Sequence, residues 1–383
     1  MIDLRIGIVG IRGLPPKYGG YETFADHFAK YMCQSGHEVV VACEKVRGEN
    51  MPNSHLGAKL VYFPLFPPRN YRFRKIFEGI YDIYFYFKLA KSVDIMYILA
   101  GLGTNLLIFL RIFFPNLKIV TNNDGLEWKR SKYSLFERLL WKSFIRNSLR
   151  YSHLIVHDNP ALLKYFPKHK SKKTAVISYG VDTIKKVNWS NDELSEYAID
   201  KNLELTDLEP NNFYIVVARL QHDNNTHMII DGYIKSKTEK TLIVVGDFQD
   251  KKYENLVKSK VKDNKKVIFT GGIYNPRILN MLRTNSYCYL HGHSAGGTNP
   301  ALLEAMSMSI PVIAHDNDFN RHVLDNSGLF FEGSHVLSQH IDDADSSTAR
   351  MEEFGKKNFQ RANEEYTWEE CFEKHERHFQ EIL

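Results

Sequence analysis

Residues His291 to Ala314 read HGHSAGGTNPALLEAMSMSIPVIA, and they hold the residue types that bind an anion at a helix start. Gly296 and Gly297 permit a turn that brings backbone N–H groups close to a ligand. Thr298 and Asn299 are helix-capping types, and Pro300 suits a first helical turn. A short helix would follow over 299–308, with Glu304 in it, and then a buried strand over 310–314. Such a loop offers free N–H groups and the positive end of a helix dipole. The glycines alone would equally suit an ordinary loop and helix of an α/β domain.

Three other strings could carry chemistry. In VARLQHDNN, Arg219 directly follows an apolar run, which puts it at the carboxyl end of a strand. A guanidinium there can hold a diphosphate through paired hydrogen bonds, or it can be a salt-bridged surface group. In TNNDGLEWKRSKY, Asp124 and Glu127 also follow a strand and could accept hydrogen bonds from a sugar or act as a base. Asp-Gly equally suits a turn. GIVGIRGLPPKYGGYETF runs from a strand through a long loop into a helix, and Gly19 and Gly20 could bring N–H groups to a phosphate or sugar. Its spacing Gly7-x-x-Gly10-x-x-Gly13 is not the dinucleotide fingerprint, so hydride transfer is disfavoured.

Asp316-Asn317-Asp318 is a lone DxD, and His291 and His293 alternate without an evident third ligand, so no metal is expected. Nor does the chain carry a nucleophile elbow or a P-loop string.

These residues need elements to hold them. Apolar runs alternate with helical patterns, as in parallel α/β architecture. The pattern predicts strands over 5–9, 38–42, 59–63, 94–99, 118–121, 154–157 and 174–177, with helices over 21–34, 76–91, 106–113, 135–149 and 160–166. Residues 185–210 read as linker and irregular surface. A second series follows: strands over 213–218, 241–245, 266–270, 286–290 and 310–314, and helices over 226–236, 253–261, 275–284 and 299–308. The stretch from about 348 to 383 reads as helical. Two Rossmann-like, doubly wound parallel-sheet domains in series would face a ligand cleft at the carboxyl ends of both sheets.

The 383 residues carry 43% hydrophobic and 25% charged side chains, which fits a globular chain of two domains. Four scattered cysteines without CxxC spacing fit a reducing compartment. The start MIDLRIGIVG is already a strand pattern, so no signal peptide is expected. The apolar segment 95–114 is broken by Gly101, Gly103, Thr104 and Asn105, so no transmembrane helix is expected. Residues 1–180 hold 27 Lys+Arg against 13 Asp+Glu, and the remainder 23 against 32, so the two halves differ in sign. The basic residues of the first half are interleaved with aromatics, as in Tyr71, Arg72, Phe73, Arg74, Lys75 and again in Trp128, Lys129, Arg130. That suits a surface lying on anionic lipid, or a solvated helix face over core aromatics. No nucleic-acid signature accompanies the charge, so no nucleic-acid partner is expected.

With GIVGIRGLPPKYGGYETF, NNDGLEWKRSKY, SYGVD, VARL…NN and GGTNPALLEAM in view, the whole chain resembles the retaining glycosyltransferases of family four. The branch it is most similar to is that of bacterial rhamnosyltransferases for capsule and surface polysaccharides. The resemblance implies the GT-B fold. Residues 1–183 would form an acceptor-binding domain, with a C-terminal helix (about 366–383) packing back on it, and 184–365 a nucleotide-sugar-binding domain. It implies that Arg219 neutralises the donor diphosphate and that Gly297, Thr298 and Asn299 cradle it. Glu304 would bind the ribose, the loop with Gly271 and Tyr274 would lie near the base, and Gly19 and Gly20 would approach the phosphates. Asp124, Glu127, Trp128, Lys129 and Arg130 would serve the acceptor, Asp124 also as a catalytic residue beside Arg219.

The sequence departs from the family where many relatives carry Lys and this chain has Asn224 and Asn225, and where Gly296 replaces the first of two glutamates. Many relatives also carry a His where Asp124 stands. The expected activity is transfer of L-rhamnose from dTDP-L-rhamnose to a lipid-diphosphate-linked saccharide, without cofactor or metal. The expected partners are the nucleotide sugar, the lipid-linked acceptor and an anionic membrane surface, with the protein peripheral on the inner face of the cytoplasmic membrane. The departures also admit a UDP-hexose donor with another acceptor, or a non-catalytic sugar-nucleotide-binding relative.

Overall fold

The computed structural model describes residues 3–17, 19–99, 102–123, 125–129, 133–166, 173–205, 208–261 and 264–383. They form two compact units, Met1–Gly180 with Trp368–Leu383, and Val181–Thr367.

Unit 1 is built on strands β1 (Arg5–Val9), β2 (Glu38–Cys43), β3 (Ser54–His55), β4 (Ala58–Tyr62), β5 (Ile95–Ile98), β6 (Lys118–Asn122), β7 (Leu154–His157) and β8 (Lys173–Val176). Their order in the sheet is β3-β4-β2-β1-β5-β6-β7-β8. All pairs are parallel except β3 with β4. The interior strands are apolar on both faces because helices cover both, which is why they read as continuous runs. Alternate residues of β5 show the two sides. Met96 and Ile98 join a core with Phe77, Tyr81 and Phe85 of helix Tyr71–Leu89 and Leu107 and Leu110 of helix Leu107–Phe113. Tyr97 points the other way, against Phe24 and Phe28 of helix Gly20–Gln34.

That second face is closed by helix Trp368–Ile382. Its Phe372 and Phe379 lie 5.7 and 6.1 Å from Phe28, ring centre to ring centre. The Tyr97 hydroxyl donates to His375 Nε2 (2.8 Å), and His375 Nδ1–H donates to the Cys371 carbonyl (2.8 Å). Burial holds His375 down to about 4. The unit boundaries sit a few residues from those read in the sequence. Gly180 belongs to unit 1 because it packs on Trp368; a Cβ there would stand 2.5 Å from the indole.

Unit 2 has six parallel strands, β9 (Phe213–Val217), β10 (Thr241–Val245), β11 (Val267–Gly271), β12 (Cys288–His291), β13 (Val312–His315) and β14 (Leu329–Phe331). Their order is β11-β10-β9-β12-β13-β14. The stretch read as linker contains a helix, Asn191–Lys201, which corrects that reading. Ser190 Oγ caps it by accepting from the Glu193 N–H (3.3 Å), and Asn202 ends it in the left-handed region. Only Leu194 and Ala198 are buried along it, too few to mark a helix by hydrophobic period. The pattern also missed β3, β14 and the helices Asp318–Leu324 and Ser334–Ser346.

Candidate functional site

In unit 2 the strand order reverses between β9 and β12. A doubly wound sheet opens a crevice at that point, beyond the carboxyl ends of the strands. Arg219 leaves β9 there, exposed, and the string His291–Asn299 leaves β12 there.

Side chains of three loops stitch this crevice together. Asn224 Nδ2 donates to the Arg219 carbonyl (2.6 Å), so its Oδ1 is left to accept from His293 Nδ1 (2.7 Å). His293 is thereby fixed as the Nδ1–H form. Asn225, with φ +48°, donates from Nδ2 to the Gly292 carbonyl (2.9 Å). Asn317 and Asn320, beyond β13, both donate to the His293 carbonyl (3.1 and 2.9 Å). His291 is fully buried; its Nδ1 meets the Tyr289 hydroxyl (3.3 Å), whose proton goes to the Val217 carbonyl (3.1 Å). Burial first, and then the neighbouring His293 and His315, hold His291 well below the usual imidazole range.

The turn that follows is set by its backbone. Gly296 has φ +119°, a region L side chains rarely enter, so a carboxylate-bearing residue would be strained there. Gly297 and Thr298 are buried, and Asn299 Oδ1 accepts from the Ala301 N–H (2.9 Å) to cap helix Pro300–Ser307. That bond directs the Asn299 oxygen to the helix and leaves its amide nitrogen as a donor. Glu304 is already engaged: Arg283 Nη2 donates to its Oε2 at 2.6 Å. Its other carboxylate oxygen can accept a further hydrogen bond. Further along the sheet, Gly271 (φ +67°) opens a loop tied to the one after β10, where Asp247 accepts from the Gly272 N–H (2.8 Å) and the Tyr274 hydroxyl (2.7 Å).

The DxD triplet does structural work. Arg321 holds both Asp316 oxygens (2.5 and 2.6 Å), and Asn317 Oδ1 caps helix Asp318–Leu324. Among the described residues, no group of three or more His, Cys, Asp or Glu is placed to hold a metal ion.

In unit 1, Gly19 (φ +97°) caps helix Gly20–Gln34, and Glu22 reaches back to accept from the Arg12 N–H (3.3 Å). This loop borders a cavity of about 540 Å³, lined by Arg12, Lys45, Arg47 and Arg74 among other residues. Glu127–Lys129 is one turn of 3-10 helix. Trp128 meets Phe166 edge-on (5.6 Å), and Lys129 lies over the Tyr165 ring (4.0 Å). Asp124 and Arg130 lie outside the described residues.

Unit 2 thus places Arg219 and the Gly297–Asn299 turn after the adjacent strands β9 and β12, with Gly271 at the end of edge strand β11 and Tyr274 in the loop after it, while Gly19, Gly20 and Glu127–Lys129 belong to unit 1. Sequence reasoning missed Arg283, Asp247 and the Asn224–His293 link. Arg283 hid as the basic residue of a helix's last turn, and no local signal showed that it folds inward.

Residues 201–361 match the family described as glycosyl transferases group 1, and residues 4–182 match a domain of unknown function, DUF1972. No curated protein matches. Sucrose-phosphate synthase from Thermosynechococcus elongatus is similar over 99% of both chains, with TM-score 0.77 and 16% identity. Anabaena Alr3699/HepE in complex with UDP-glucose is similar over 98% of this chain and 99% of its own, with TM-score 0.71 and 14% identity. WaaG, a glycosyltransferase involved in lipopolysaccharide biosynthesis, is similar over 97% and 98%, with TM-score 0.69 and 14% identity.

The fold is GT-B. Within it, the group 1 segment spans Arg219, the Gly296–Asn299 turn and Glu304. The GT-B unit matched to DUF1972 holds the loop with Gly19 and Gly20.

Proposed function

We propose that this chain is a retaining glycosyltransferase that moves L-rhamnose from dTDP-L-rhamnose to a saccharide carried on a lipid diphosphate. One observation carries the reading: Arg219 and the helix-start turn Gly297–Asn299 leave neighbouring strands at the reversal of the unit 2 sheet. In the reaction, the bond between the sugar's anomeric carbon and the diphosphate oxygen breaks, and that oxygen keeps the electron pair. The sugar becomes oxocarbenium-like. The acceptor hydroxyl attacks from the same face and passes its proton to the departing phosphate. No dedicated nucleophile is needed. The site's task is to stabilise charge developing on the diphosphate, which Arg219 and the N–H groups of the turn would do. Glu304, held by Arg283, would orient the ribose. Gly271 and Tyr274 would border the base, and Gly19 and Gly20 would approach the phosphates. Asp124, Glu127, Trp128, Lys129 and Arg130 would serve the acceptor. The acceptor's lipid anchor would keep the enzyme at an anionic membrane surface. Among the described residues no helix is long and apolar enough to cross one.

The UDP-glucose complex of the similar Anabaena protein favours one second reading, a UDP-hexose donor. An assay with lipid-linked acceptor and a panel of nucleotide sugars separates the two. We expect transfer with dTDP-rhamnose, and Arg219→Ala should lower kcat/KM by about 10²-fold or more. Absence of transfer from every donor, beside an active control enzyme, would overturn the proposal.

A further inference from the structure

Helix Tyr71–Leu89 is apolar on two opposite sides. One side buries Phe77, Tyr81, Phe85 and Leu89 against the sheet. The other carries Phe73, Ile76, Ile80 and Phe87, at spacings of three, four and seven, and leaves them exposed, Phe73 and Ile76 by 62% and 61%. A second apolar stripe on a helix is ordinarily covered by a partner surface. Among the described residues, none covers this one.

The start of helix Leu135–Tyr151 meets the start of this helix. Lys75 pairs with Glu137, and its ammonium sits 5.7 Å from the centre of the Tyr133 ring. The first turns of this second helix expose Leu135, Phe136 and Leu139, the first two by 78% and 70%. Along the same line of the helix, Lys142, Arg146 and Arg150 follow at exposed positions. Like charges on successive turns repel one another unless an extended anionic surface meets them. Helix Leu107–Phe113 exposes Ile112 and Phe113 near the other end of helix Leu135–Tyr151, where Arg111 meets His153. The 3-10 turn just before it, Thr104–Leu106, is tied to helix Leu135–Tyr151 where Asn147 Nδ2 donates to Asn105 Oδ1 (2.6 Å).

We propose that this three-helix face docks on an anionic lipid bilayer. The N-terminal turns carrying Phe73, Ile76, Leu135, Phe136 and Leu139 reach below the headgroups, and Lys142, Arg146 and Arg150 lie among the headgroup phosphates. Along helix Leu135–Tyr151 the exposed apolar side chains come first and the cations follow, which is the order of depth at a lipid interface. A second copy of the chain is a poorer occupant, because a matching face would bring a second set of the same cations. The inference rests on the membrane part of the proposed function and assigns it to residues.

The test is flotation of the full chain with vesicles of phosphatidylcholine alone and with about one third phosphatidylglycerol. Two variants accompany it, I76S/L139S and K142E/R146E. All four positions are exposed, so unchanged thermal unfolding is the check on folding. We expect wild type to float with anionic vesicles, weakly with neutral ones, and each variant to lose about tenfold or more in partitioning. Failure of wild type to bind anionic vesicles, or binding by both variants equal to wild type, overturns the proposal. So does a concentration-dependent dimer that I76S/L139S dissolves while vesicle binding persists. Stabilisation by dTDP and UDP, read by thermal shift in the same proteins, keeps the outcomes apart. Docking lost with nucleotide stabilisation intact confirms the face without touching the transferase reading. Docking intact with no sugar transfer leaves the face standing and removes that reading.

Discussion

Gly296 replaces a carboxylate at the position where the resemblance would put one, and the backbone gives the reason. At φ +119° an L side chain is strained, so this turn is made for glycine. Gly296→Glu should therefore destabilise unit 2 by about 1–2 kcal/mol without raising activity. Urea unfolding measures the first and the transfer assay the second; unchanged stability would remove the backbone argument. The Asn224–His293 link bears on the other departure. Asn224 is spent on the Arg219 carbonyl and on His293, so it holds the loop beneath Arg219. At this scale the sequence was partly legible. Arg219 and the GGTNP turn could be placed because the one directly follows, and the other comes a few residues after, an apolar run that marks a strand end. Arg283 and Asp247 could not, since their partners Glu304 and Tyr274 lie 21 and 27 residues away.

Among the elements, helix Leu135–Tyr151 shows how local chemistry fixes an end. Ser134 Oγ accepts from the Glu137 N–H (3.3 Å) and Glu137 answers to the Ser134 N–H (2.8 Å), a reciprocal cap. Lys75 and these Ser134 bonds hold the Glu137 carboxyl down to about 2. Ser134→Ala should cost about 1 kcal/mol. It should also fray the turns bearing Leu135 and Phe136, which hydrogen exchange of their amides would report; unchanged exchange would show that packing alone holds this end. The central parallel strands were legible because burial on both faces makes them continuous apolar runs. Helix Asn191–Lys201 was not, because its capping serine and acidic first turn sit in a segment with little to bury. β14, three residues long, is too short to show a period.

For the whole molecule, the closing of unit 1 by Trp368–Ile382 is linked to pH. His375 is buried and neutral, held down to about 4 against an ordinary 6.5. The unfolded chain takes up that proton below about 6.5. The stabilisation is therefore complete above that pH and is lost as pH falls from about 6.5 to about 4, roughly 3 kcal/mol in all. His375→Phe should lower stability at neutral pH, by removing the hydrogen bond between the Tyr97 hydroxyl and the ring, yet flatten the loss across that window. Unfolding free energies of both proteins from pH 7.5 to about 4.5 decide it; parallel slopes would show that other groups carry the dependence.

The same helix sets an order of events during synthesis. Unit 1 is assembled from two stretches, 1–180 and 368–383, with all of unit 2 between them. A ribosome finishes the first stretch long before it reaches Phe372 and Phe379. Through that interval the aromatic face of Phe24, Phe28 and Tyr97 has no lid, and it is open to holdase chaperones or to a neighbouring nascent chain. Unit 2 is continuous and has no such wait. The nascent protein thus completes its second unit before its first, and its yield in the cell will follow how well that interval is protected.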